Sequence, residues 1–117
     1  MLAPSQTVQD LQRARNLIAD PDKWTGDCFK LGTHFCAVTA DLHARGIRSE
    51  PHSSENWNMT SPWLIMAATE LFPGVIAGSD TRWERVWRVN DALGHAAVMR
   101  MYDRAIQLAM AGDTLSP

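Results

Sequence analysis

Between residues 95 and 111 the order of the side chains leaves one backbone open to the chain. Val98, Met101, Tyr102, Ala105, Leu108 and Ala109 recur at steps of three and four, and Arg100, Asp103, Arg104 and Gln107 fall between them. That spacing puts the apolar groups on one stripe of a 3.6-residue helix, whereas a strand would scatter them over both faces. Upstream segments step in the same way and strict alternation is scarce, so the fold class is all-α. The 117 residues suffice for one core. The expectation is a single helical domain over 1–117: a compact bundle of four to five short helices, with its core at about 7–111 and one polar loop around 47–60.

The first helix is predicted over 7–19, with Val8, Leu11, Ala14 and Ile18 on one face. Thr7 and Asp10 resemble a shortened capping box, and Asp20-Pro21 ends the helix because a residue before proline is pushed out of the α region. An irregular stretch carrying Trp24, Cys28 and Phe29 leads to a second helix over 33–44, built on Phe35, Val38, Thr39 and Leu42 and closed by Gly46. Residues 47–60 are the most polar and read as a surface loop, mobile at 49–55. Ser61-Pro62 signals a helix start, and the third helix runs to Phe72, where Pro73-Gly74 stops it. It is apolar nearly all round, which marks it as central. Residues 75–77 form a connector. Asp80 caps a fourth helix to Asn90, with Trp83, Val86, Trp87 and Asn90 inward and Arg82, Arg85 and Arg88 outward; 90–94 breaks the chain, and Gly112 ends the fifth helix.

Eleven basic against thirteen acidic residues leave a net charge of −2, which excludes a polybasic nucleic-acid coat. The longest apolar run, 63–68, is about a third of the ~18 to 20 residues that a membrane span needs. The opening residues lack the basic and apolar regions of an export signal, and two cysteines are too few for a disulfide scaffold. The expected setting is the cytoplasm, with Cys28 and Cys36 as reduced thiols.

Cys28, His34, Cys36, His43 and His52 crowd into 25 residues. Neither the C-x₂₋₄-C nor the H-x₃₋₅-H spacing of a zinc site occurs among them, so no metal is expected. A sharper possibility is a thiol nucleophile. Cys36 falls in the first turn of a helix, whose dipole lowers a thiol pKa, and Asn90, Asp91 and His95 follow as a base and its orienter. The competing role is a buried cysteine, with Asn90-Asp91 as the turn and cap before the last helix. The carboxylate pairs Asp20/Asp22 and Asp91/Asp103 sit where helix ends favour acids. No glycine-rich phosphate loop is present, and no cofactor is expected. Arg82, Arg85, Arg88, Arg100 and Arg104 give a local basic excess, readable as a nucleic-acid face or as solvated charge. Trp57 stands apart from any periodic pattern, in Asn56-Trp57-Asn58-Met59. Trp57 and Met59 are the partner-contact candidates, the alternative for Trp57 being a lid folded back on the core.

The segments Ala19-Asp20-Pro21-Asp22-Lys23-Trp24-Thr25, Phe35-Cys36-Ala37-Val38, Val89-Asn90-Asp91, His95-Ala96-Ala97-Val98 and Asp103-Arg104-Ala105-Ile106 occur in that order. Together they resemble an uncharacterised family of small proteins of actinobacteria and their phages, to which no activity is assigned. The resemblance spans 8–108, apart from the loop at 47–61. Thr39 stands where the family pattern has glycine, and the loop after Asp91 lacks its proline. The resemblance implies that Trp24, Cys36, Asn90, Asp91 and His95 are shared positions, of a site or of a scaffold, and that the setting is a bacterial or phage-infected cytoplasm. The leading functional expectation is a non-enzymatic domain that binds a host protein or itself. The alternatives are a small Cys/His enzyme or ligand-binding domain around Cys36, Asn90, Asp91 and His95, and nucleic-acid binding through the arginines.

Overall fold

A serine supplies the first side-chain cap. In the computed structural model, which describes residues 5–27, 34–47, 54–78 and 81–115, the Ser5 hydroxyl accepts from the Val8 amide at 3.2 Å and opens α1 (Gln6–Ile18). Ser5 therefore does the capping expected of Thr7. Asp10 instead accepts from Gln6 at 2.8 Å and Arg13 at 3.2 Å along the helix surface. The predicted face of α1 is buried, and Asp20 caps a single 3₁₀ turn, Pro21–Lys23, through the Asp22 amide.

Past this turn the chain is extended at Trp24 and again at Phe35, and the two form an isolated parallel bridge. The second helix, α2 (Ala37–Ala44), begins later than its apolar pattern suggests. Cys36 acts as its N-cap: Sγ accepts from the Thr39 amide at 3.5 Å, while the Thr39 hydroxyl accepts from the Cys36 amide at 2.9 Å. This is a capping box with sulfur in place of a hydroxyl. Gly46, at φ 74°, closes the helix as its position suggests.

A 3₁₀ segment, Ser54–Met59, occupies the end of the polar stretch and precedes α3 (Pro62–Leu71), which has proline at its first position. Pro73 opens a new turn, α4 (Pro73–Ile76), instead of a connector. The last two helices are α5 (Glu84–Leu93) and α6 (His95–Leu115). Asn90 lies inside α5, and the break falls at Gly94 (φ 94°, ψ −177°), a conformation open essentially only to glycine. Nor does Gly112 terminate α6. A Cβ there would lie 3.1 Å from the Trp63 ring, so glycine lets α3 pack close against the helix, which continues to Leu115. The readings placed on Cys28, Phe29, Thr33, His52 and Asp80 fall outside the described residues.

The fold is all-α, with five helices of eight or more residues and no strand beyond the isolated bridge among the described residues. Trp63 meets Gly112 while Glu70 meets Arg104, so α3 and α6 run antiparallel. Arg15–Asp103 at 2.6 Å ties α1 to α6. Between them lies one apolar cluster, whose largest fully buried side chains are Trp57 and Tyr102. Among the described residues no helix is long and apolar enough to cross a membrane.

The backbone at Gly94 gives a test. Gly94→Ala should destabilise the protein by about 1–3 kcal/mol in urea unfolding. Gly74→Ala, where nothing lies within 4 Å of the added carbon, should be neutral or stabilising by up to about 1 kcal/mol. Equal effects at both positions would show that residue 94 does not require glycine.

Candidate functional site

Two polar centres lie in this helical interior, and both surround α2. The first is the Asn90 side chain, fully buried on the inner face of α5. Its Oδ1 accepts from Trp24 Nε1 at 2.6 Å and from the Ala37 amide at 3.0 Å, and its Nδ2 donates to the Thr25 carbonyl and to Asp91 Oδ1, each at 3.0 Å. One neutral amide thereby joins α5, the Trp24 segment and the start of α2. The Ala37 N–H belongs to the first turn of α2, where no intrahelical acceptor exists, so Asn90 satisfies an amide that the helix cannot.

His95 stands next to this centre. Its ring meets Trp24 edge-on, with centroids 5.5 Å apart, and Nε2 lies 2.7 Å from the Ile18 carbonyl. A carbonyl can only accept, so Nε2 carries the proton in this contact and closes one of the last carbonyls of α1. Trp24, Asn90, Asp91 and His95 are thus brought together, and Cys36 stands beside them as the cap of α2, with 1% of its surface exposed. Each polar group holds a backbone end: Cys36 and Asn90 the start of α2, His95 the end of α1. Asp91 is exposed and accepts from Asn90.

The second centre was not singled out in the sequence. Asp41 is 1% exposed within α2, a helix whose other residues are apolar apart from Thr39 and His43. Arg45 grips its carboxylate with both arms of the guanidinium (3.2 and 2.8 Å), and the Ser61 amide donates to Oδ2 at 2.9 Å. Arg45 also donates to the Met59 carbonyl. Burial pushes the Asp41 carboxyl above its ordinary 3.8; Arg45 and the Ser61 amide pull it back, and the nearby Asp10 charge adds to the rise. A cavity of about 160 Å³ opens beside this pair, lined by residues that include Asp10, Arg45, Ser61 and Trp63. The sequence signal was an acid inside an apolar helical face with arginine four residues on. A larger cleft of about 380 Å³, lined by Asn16, Leu17, Lys23, His34 and Phe35, touches neither centre. Among the described residues no three His, Cys, Asp or Glu side chains converge as metal ligands.

Of the two partner-contact candidates, Met59 is 47% exposed, whereas Trp57 has no exposed surface. Its ring is set edge-on against Trp83 at 5.9 Å, in the folded-back position. The arginines engage different partners. Arg104 forms a two-pronged pair with Glu70, at 2.6 and 2.9 Å, which draws that carboxyl below its usual range. Arg85 donates to Thr69 at 3.0 Å, Arg88 pairs with Glu84 at 3.6 Å, Arg100 lies over Phe72, and Arg82 is exposed.

Residues 3–108 match the family of unknown function DUF6197, and the chain belongs to that family. No curated protein and no solved structure matches it. The matched stretch includes both polar centres, and the role of the first can be measured. Asn90→Ala leaves the Ala37 amide and the Trp24 indole without their acceptor, and should lower stability by about 3 kcal/mol in urea unfolding, with the denaturant slope unchanged. Asn90→Asp should recover part of this at low pH, where the protonated carboxyl again donates to Thr25. A loss below about 0.5 kcal/mol for Asn90→Ala would remove the amide from its structural role.

Proposed function

We propose that this DUF6197 chain is an interaction module that contacts a protein partner or a second copy of itself, in the cytoplasm of an actinobacterium or of a cell infected by a phage that encodes it. One observation carries the reading. Among the described residues four large apolar side chains stand well out in water, Met59 (47%), Met66 (44%), Leu93 (42%) and Met110 (50%), and three of the four are methionine. Methionine is flexible and polarisable, and surfaces that adapt to partners use it for that reason. The polar groups beneath give weaker support to chemistry. Asn90 spends both ends of its amide on fixed partners, the His95 Nε2 proton is directed at Ile18, and the Cys36 sulfur accepts from an amide. A general base needs a lone pair aimed at a substrate, and a general acid a proton.

A stable contact through these side chains must bury at least ~1,000 Å² in total. Sedimentation velocity over micromolar concentrations, together with capture from lysate of a cognate host, should show self-association or a saturable partner. Glutamate at Met59, Met66 or Met110 should weaken that contact tenfold or more, without changing the unfolding midpoint. A chain that stays monomeric and retains nothing above background would overturn the reading. So would a contact indifferent to all three substitutions.

A further inference from the structure

We propose that Asp41 and Arg45 latch the segment 56–61 onto the core, and that this strap is a displaceable unit whose release brings the buried Trp57 to the surface beside the already exposed Met59. The proposal rests on the interaction reading for its purpose and deepens it, because release adds the Trp57 ring to the exposed surface that already carries Met59.

The geometry supplies two anchors and a stiff piece between them. Arg45 donates to the Met59 carbonyl, and the Ser61 amide donates to Asp41 Oδ2, so both anchors belong to one ion pair at the end of α2. Within the strap, Thr60 bonds the Trp57 carbonyl twice, from its amide at 3.0 Å and its hydroxyl at 2.6 Å. Trp57 therefore moves with Thr60, and Thr60 is flanked by the anchored residues. The indole fills a slot against Trp83, so release would expose the ring and its slot at once. Water has a route to the latch through the 160 Å³ cavity that borders Asp41, Arg45 and Ser61.

The charge makes the latch releasable. A carboxylate taken out of water opposes closure, and the pair with Arg45 offsets that cost only in part. The charged groups acting on Asp41 are Asp10 from α1 and Arg45 from the end of its own helix; between Asn56 and Ser61 no side chain titrates. With the strap closed, the Asp41 carboxyl titrates above its ordinary 3.8. The closed state thus holds a proton more tightly than an open state in which Asp41 is hydrated. Acid favours closure, and opening becomes easier as pH rises through the raised value.

Native-state hydrogen exchange on the full chain tests this. Asp41→Ala, and Arg45→Met as a second variant that keeps the apolar stem, should each speed exchange of the 56–61 amides by about tenfold or more, with α1 and α6 unchanged. In the parent protein, strap protection corrected for intrinsic rates should fall as pH rises above the ordinary carboxylate range. Asp41→Asn, which keeps an acceptor for Ser61 but cannot titrate, should lose that dependence. Exchange that rises equally across α1 and α6, or a strap that does not respond, overturns the latch. The measurement needs no partner, so the two readings can fail separately. A strap that opens in a chain with no partner leaves the latch standing and removes the interaction reading; a partner contact in a chain whose strap does not respond to Asp41→Ala does the reverse.

Discussion

Ala37 is held from two helices at once, and the arrangement of the rest depends on that clamp. Its amide donates to Asn90 of α5, and its carbonyl accepts from the Tyr102 hydroxyl of α6 at 2.6 Å. A buried amide or carbonyl left without a partner costs about 1–3 kcal/mol, so the clamp is strongly directional. It fixes where α2 begins relative to α5 and α6, more tightly than apolar packing alone would, because apolar contact tolerates sliding and these bonds do not. The Trp24 indole shares the Asn90 oxygen and carries the preceding segment to the same point. His95 then closes the end of α1 beside it. Three chain ends meet around a few hydrogen-bonding side chains, in a chain with few residues to spare for longer connections.

How much of this was legible in the sequence depended on whether the reason for a residue lay nearby. The stripes of α1 and α6 could be read because helical periodicity is local: Val8, Leu11, Ala14 and Ile18 are buried as their spacing requires. Gly46 could be read for the same reason. Gly112 could not, because its cause is the Trp63 ring far back along the chain. Asn90 had a sufficient local explanation as a turn residue, and only the convergence of Trp24 and Ala37 shows that a buried amide is needed there. Phe35 continues the apolar spacing ahead of α2, but the bridge to Trp24 holds that residue extended, and the sulfur of Cys36 becomes the cap. Asp41 is not legible locally, because an acid in a helix reads as its solvent side until the fold covers it.

The arginines follow a similar local logic on the outside. Arg85, Arg100 and Arg104 reach Thr69, Phe72 and Glu70, and all three contacts lie at the C-terminal end of α3. That end carries the negative pole of the helix, where cations are favoured by about 0.3–1 kcal/mol each. No basic residue occurs in the last turn of α3 itself. Side chains from α5 and α6 supply the missing charge, which also fastens those helices to α3. A basic excess visible in sequence thus has a use within the fold before any ligand is considered.

Placed side by side, the two polar centres differ in one physical respect. Asn90 is a neutral amide whose donors and acceptors are matched by four partners, so its burial carries no charge penalty. Asp41 occupies a comparably buried position with a carboxylate, which needs Arg45 beside it and still titrates above its ordinary range. An amide there would also have bound the Ser61 N–H and fixed the strap. Choosing the charged group weakens the closed state and makes it sensitive to whatever reaches Arg45, whose side chain remains 25% exposed. The core is thus clamped by a group that has no second state, and the strap by one that has two.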